Sequence, residues 1–221
     1  MDVTIKAGHD PLGDWGMVNA YMRWALLAAE EVAGEKGLNI VLRNAGLERY
    51  IGNYPPENFE VGGKIGDYTA LCSELLTFFG RAGRGSLVRI GRKSTQLGMK
   101  VQAEQFGLNN LAAASKLLPA GLKLKAGIEA HIAIWKTIYK QCGGDWQARS
   151  EDRGDTWAYI VESCTHCVDR AAEKPMCFVW TGALIEAVVW QMGKEYDIVE
   201  TECRAAGAPA CVWEINKQPR E

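Results

Sequence analysis

The chain has 221 residues, 48% of them hydrophobic, which is enough to bury a core and excludes a disordered chain. A formal charge of −2, from 25 basic and 27 acidic residues, provides no bulk attraction to nucleic acid or anionic lipid, so nucleic acid is not expected as a partner. Met1 to Asp10 lacks a basic segment followed by an apolar run, and no stretch is long and apolar enough for a span, so the expectation is a cytoplasmic protein that crosses no membrane.

The first 140 residues read as successive helices. From Trp15 to Glu35, Val18, Tyr21, Met22, Ala25, Leu26, Ala29 and Val32 recur at helical spacing and predict a core-facing stripe. A second, short helix is expected over 38–50, ending before Gly52 and Pro55-Pro56, with a loop to Gly63. Asp67 can cap a third helix carrying Leu71, Leu75, Phe78 and Phe79. The basic, Gly-interrupted stretch 80–106 reads as a further helix. Pro119 punctuates two more, the second over 122–141 with Ile128, His131, Ile132 and Trp135 along one side.

Beyond Gly143-Gly144 the apolar period drops from near 3.6 to near 2, which predicts a sheet. Segments 146–150 and 156–163 flank the turn-forming Asp152-Arg153-Gly154-Asp155 and should pair, with Trp157, Tyr159 and Val161 on one face. A helix over 176–193 is apolar nearly all round, hence buried, and Gly182 allows another element to come close. Strands 196–202 and 210–216 close the chain around the turn at Ala206-Gly207-Ala208-Pro209. The expected class is α+β: a helical N-terminal half packed on a small antiparallel sheet with one buried internal helix.

Seven cysteines without an export signal read as reduced thiols or metal ligands. Cys177, Glu200, Cys203 and Cys211 have the chemistry of a structural zinc site, because the terminal hairpin brings Cys203 and Cys211 together and the preceding helix brings Cys177 to them. Four protein ligands would leave no open position for catalysis. Residues 200 and 203 would face opposite sides of a straight strand, so the strand should bend near Thr201; Glu202 is the rival carboxylate. The surplus negative charge calls for a nearby cation such as Arg204. On spacing alone, small buried cysteines packed as hydrophobes remain the competing explanation.

The run Cys177-Phe-Val-Trp-Thr-Gly-Ala-Leu, followed by Glu200-Thr-Glu-Cys203-Arg-Ala-Ala-Gly207 and Cys211, resembles the closing signature of the 4-vinyl reductase-like small-molecule-binding family. That family includes sensor domains of phenol-responsive bacterial activators and bacteriochlorophyll-associated proteins, and shares its fold with eukaryotic trafficking-complex subunits. The resemblance implies a zinc-braced hairpin with Cys177, Glu200, Cys203 and Cys211 as ligands, and favours Glu200 over Glu202. More loosely, Gly83-Arg84-Gly85 to Gly91 is similar to the segment before the sensor core, Trp157 with Glu162 to a pocket strand, and His131 to a ligand-holding histidine. The implied regions are 1–79, helical and dimerising; 80–217, ligand-binding; and 218–221, a tail.

The resulting expectation is a sensor-like binding protein holding a small apolar, aromatic or hydrocarbon ligand, with His131, Trp135, Trp157 and Tyr159 lining the pocket. A homodimer and a separate output protein are expected partners, since no ATPase or DNA-binding segment follows. Trp157 and His131 could equally be simple core residues. No catalytic constellation can be assembled, and no nicotinamide or flavin fingerprint occurs. The alternatives are an accessory factor or enzyme of tetrapyrrole or aromatic metabolism, and an acyl-binding interaction subunit. Cys164-Thr-His166-Cys167 has metal-like composition but lacks a second pair at ribbon spacing; Cys72 and Cys142 are expected to be inert. The basic run Arg81, Arg84, Arg89, Arg92 and Lys93 reads as a solvated face.

Overall fold

The computed structural model describes residues 3–6, 8–115 and 117–220; Met1, Asp2 and Ala7 of the expected N-terminal region, Lys116, and Glu221 of the expected tail lie outside them. Two short strands, β1 (Val3–Ile5) and β2 (Gly16–Val18), precede α1 (Asn19–Asn44). β3 (Val61–Lys64) pairs antiparallel with β2 and leads into α2 (Ile65–Phe79), α3 (Gly83–Gln105), α4 (Leu108–Ser115) and α5 (Ala120–Gln141). The C-terminal part follows as β4 (Ala148–Asp152), β5 (Thr156–Val161), β6 (Arg170–Ala172), α6 (Phe178–Met192), β7 (Tyr196–Glu202) and β8 (Cys211–Pro219). Helices and an antiparallel sheet are thus arranged as the change of period indicates.

The two helices expected over 15–35 and 38–50 are one element, kinked at Gly34, whose φ of 73° and ψ of 158° suit only a residue without Cβ. It starts at Asn19, because 16–18 are taken up by β2, and it ends at Asn44, with a 3-10 turn over Glu48–Tyr50. Asp67 sits inside the first turn of α2 rather than before it, and its carboxylate accepts the Lys64 backbone N–H at 3.1 Å. β1, β2, β3 and β6, at three or four residues each, are too short to display a period of two, which is why they escape a sequence reading.

The main sheet has the order β4-β5-β8-β7, antiparallel throughout. Trp157, Tyr159 and Val161 point from one face of β5 into the main core, while Ala158 and Ile160 join Ala210 and Val212 in a small cluster on the other. β8 runs on to Pro219, opposite Tyr196, so pairing reaches into 218–221. The main buried cluster extends from Met17 to Ile215 and crosses the 79/80 boundary.

α6 packs against α3 at very short range. A Cβ at Gly182 would lie 2.1 Å from the Val88 carbonyl oxygen, and one at Gly91 would lie 1.9 Å from that of Val179. Backbone on both sides leaves nothing flexible to yield. Gly182→Ala is therefore expected to cost about 3 kcal/mol or more, above the usual overpacking range. Urea unfolding measures it; a loss under about 1 kcal/mol would contradict this packing.

Candidate functional site

The N-terminus of α6, the end of β7 and the start of β8 converge on a cluster of sulphur. The donor atoms of Cys177, Glu200, Cys203 and Cys211 lie within 4.8 Å of one another, all buried. Sγ of Cys203 is 3.8 Å from Sγ of both Cys177 and Cys211. A tetrahedral thiolate shell with zinc–sulphur bonds of about 2.3 Å has edges of about 3.8 Å, so the spacing suits such an ion.

The strand does bend where required: the β7–β8 register shifts between Glu200 and Glu202. Burial alternates along β7 up to Glu200, after which Thr201 and Glu202 are both exposed and Cys203 turns inward. This irregularity puts Glu200 and Cys203 on the same side and removes Glu202 from contention. Glu200 Oε2 accepts the Cys177 backbone N–H at 2.8 Å, whereas its buried Oε1 has no hydrogen-bond partner among the described residues. Burial, then the nearby Cys203 and Cys164 sulphurs, pushes its carboxyl up to about 10.

Arg204 supplies the expected positive charge. Its backbone N–H donates to Cys211 Sγ at 3.3 Å, and its guanidinium donates to the Cys164 carbonyl at 3.3 Å and to Asp10 at 2.9 Å. Sequence spacing missed two further members of the cluster: Cys164, Cys167, Cys177 and Cys211 form a second mutually close set. Their signal was the Cys-x-x-Cys pair itself; the absent partner pair is supplied by residues distant in sequence. Cys72 and Cys142 lie outside both sets, and burial pushes their thiols up to about 12 and 11.

A cavity of about 130 Å³ lies beside this cluster, walled by helices α1, α3, α5 and α6 and by the sheet. His131, Trp135 and Tyr159 line it, as expected; Trp157 does not. Trp157 lies further along the same face of β5 beneath Lys217 and Lys125, whose Nζ atoms are 4.6 and 5.4 Å from its ring centroid. Glu162 is exposed and paired with Arg149. Gly83 to Gly91 belongs to α3 and forms no loop; Arg92 is paired with Glu186 and Glu195, and Lys93 with Glu31.

Trp180 is a wall residue that the sequence did not flag. It follows Cys177 by three positions, so it projects from nearly the same side of α6, and it packs against Trp135 at 5.0 Å and His131 at 5.4 Å between ring centroids. One side chain thus connects the sulphur cluster to the cavity.

The polar core of the wall is a short chain. Trp135 Nε1 donates to His131 Nε2 at 3.0 Å; an indole can only donate, so Nε2 carries no proton and Nδ1–H faces Tyr159 Oη at 3.0 Å. Tyr159 then accepts and keeps its own hydroxyl hydrogen. Burial lowers the His131 pKa to about 4, consistent with this neutral tautomer.

The sign of the resulting pH dependence follows. Because the folded value lies below the ordinary 6.5, the unfolded chain binds the extra proton first, and stability present above pH 6.5 falls as pH drops toward 4. The loss assigned to His131 is about 3 kcal/mol. Acid also releases a thiolate-bound metal, so the difference in unfolding free energy between wild type and His131→Gln isolates the histidine. Parallel curves for the two proteins over pH 4–6.5 would contradict the neutral, buried imidazole.

Among known proteins, a family model, that of the 4-vinyl reductase-like domain, matches residues 157–217. No curated protein matches the chain. Solved structures of the H-NOX family share its fold. An Fe(II) unliganded H-NOX protein from K. algicida aligns with TM-score 0.60 at 14% identity, covering 92% of this chain and 98% of that one. An H-NOX protein from S. oneidensis in the Fe(II)NO ligation state aligns at 0.55 and 11%, covering 90% and 100%. A structure from work on heme distortion in the H-NOX family aligns at 0.55 and 10%, covering 93% and 97%. Among the described residues, no helix is long and apolar enough to cross a membrane.

Proposed function

We propose that this chain, whose residues 157–217 belong to the 4-vinyl reductase-like family, is a sensor-like binding protein that holds a single-ring apolar or aromatic molecule in the cavity between α5, α6 and the sheet. The observation that carries this reading is the cavity itself. Its volume of about 130 Å³ is close to that of an apolar cavity that admits benzene, roughly 150 Å³. The wall is mostly aliphatic and aromatic, and the His131–Tyr159 pair adds an uncommitted hydroxyl hydrogen that could meet a ligand's oxygen.

In the same reading a zinc ion is held by Cys177, Glu200, Cys203 and Cys211. The donor chemistry, the tetrahedral sulphur spacing and the unpartnered Glu200 Oε1 support it. With four protein ligands such an ion supplies a clamp and no open coordination position. The residues around it then hold the start of α6 on the β7–β8 ribbon, which sets the position of Trp180.

Heme, which the fold neighbours bring to mind, does not suit these residues. A porphyrin is several times larger than one ring, and both nitrogens of His131 are already hydrogen-bonded, so neither is free to ligate iron. Titrating phenol or toluene while following the fluorescence of Trp135 and Trp180 tests the proposal. Saturable quenching at one ligand per chain is expected. No saturable response to either compound, or a sharp Soret band when heme is added, would overturn it.

A further inference from the structure

The four ligands assigned above leave Cys164 and Cys167 unused, although both sulphurs lie in the same cluster. Cys164 Sγ is 3.8 Å from Cys177 Sγ, and Cys167 Sγ is 3.6 Å from Cys211 Sγ. These are again edges of a tetrahedral thiolate shell. The two mutually close sets share Cys177 and Cys211, so the six donors outline two tetrahedra with a common edge.

Any choice of one ion strands buried donors. An ion in the first set leaves the Cys164 and Cys167 thiols pressed against its own ligands. An ion in the second leaves Cys203 unpaired and Glu200 buried with one oxygen unpartnered. Buried groups of this kind are costly without a partner. We infer that the cluster takes two divalent ions of zinc type, one held by Cys164, Cys167, Cys177 and Cys211 and the other by Cys177, Glu200, Cys203 and Cys211, with Cys177 and Cys211 bridging.

Charge favours this arrangement. One ion with three thiolates and a carboxylate carries a net charge of −2. Two ions with five thiolates and a carboxylate also carry −2, so the second ion accommodates two more thiolates with no added net charge. Arg204 is placed for the whole cluster, since its backbone N–H donates to the bridging Cys211 and its guanidinium to the carbonyl of Cys164. The chain after Cys167 is turned back by Asp169, at a φ of 54°, into β6, which pairs with β1. The N-terminal segment thereby closes over the Cys164–Cys167 loop.

This inference rests on the zinc reading of the preceding subsection, and metal counting separates the two. The full chain is saturated with zinc, freed of excess by buffer exchange and weighed by native mass spectrometry. Two ions per chain are expected in the wild type, and one in the Cys164→Ser/Cys167→Ser double variant. One ion in the wild type overturns the shared-edge cluster and leaves the zinc reading standing; none overturns both. Two ions persisting in the double variant, or a Cys164–Cys167 disulfide in the zinc-saturated wild type, also overturns it.

If the double variant does not fold, X-ray absorption on the wild type decides. The shared-edge cluster gives about 3.5 sulphurs per zinc and a zinc–zinc vector near about 3 Å, imposed by sulphurs bridging at about 2.3 Å. Three sulphurs and one oxygen per zinc with no metal–metal vector would contradict it.

Discussion

Replacing Cys211 with serine is expected to strip the protein of bound metal and to unfold the β7–β8 ribbon. Cys211 belongs to both close sets, is fully buried, and opens β8 opposite Val161. Apparent binding free energies of structural zinc reach about 10–16 kcal/mol at neutral pH and act as folding free energy. Net domain stability is only about 5–15 kcal/mol. Loss of the ion should therefore leave no cooperative melting of the C-terminal part, seen as loss of near-UV circular dichroism from Trp180 and Trp213. Cys72→Ser, outside the cluster, should keep its metal. A Cys211→Ser protein that retains wild-type metal content and melting would show that these sulphurs are packing residues.

Ala187→Phe is expected to abolish binding of a one-ring ligand, by at least about 100-fold in Kd, a loss of roughly 2.7 kcal/mol. Ala187 lines the cavity one helical turn beyond Ala183 on α6, at some distance in sequence from the cluster. A phenyl group there projects into space that a cavity of about 130 Å³ cannot share with a second ring. The ribbon and its metal should be untouched, so zinc content serves as the control. Undiminished phenol binding by this variant would place the ligand elsewhere.

Much of this architecture was legible in the sequence because it rests on period and punctuation. The switch after Gly143-Gly144 marks the sheet, and the apolar run after Pro175 marks the buried helix α6. Gly182 was readable as a contact glycine because nothing else explains a glycine within a helix of that composition. The bend between Glu200 and Cys203 followed from parity alone: two donors three residues apart in a strand reach one point only through an irregularity.

What stayed hidden depends on positions distant in sequence. Cys164 and Cys167 join the cluster only because β6 and the N-terminal segment fold back over it, and β1 and β6 are three residues each. Trp157 was favoured over Trp180 as a wall residue because strand parity identifies a face but not how far the cavity extends along it. The cavity ends before the Trp157 end of β5, where Lys125 and Lys217 cover the indole.

The central claim is that a metal-clamped ribbon shapes a chamber for a small apolar ring, and calorimetry on metal-replete and chelated protein tests it most directly. Phenol titrated into the replete protein should give one site per chain with a negative heat-capacity change, and chelated protein should give no saturable heat. Equal binding by both forms, or no binding by the replete protein, would contradict it.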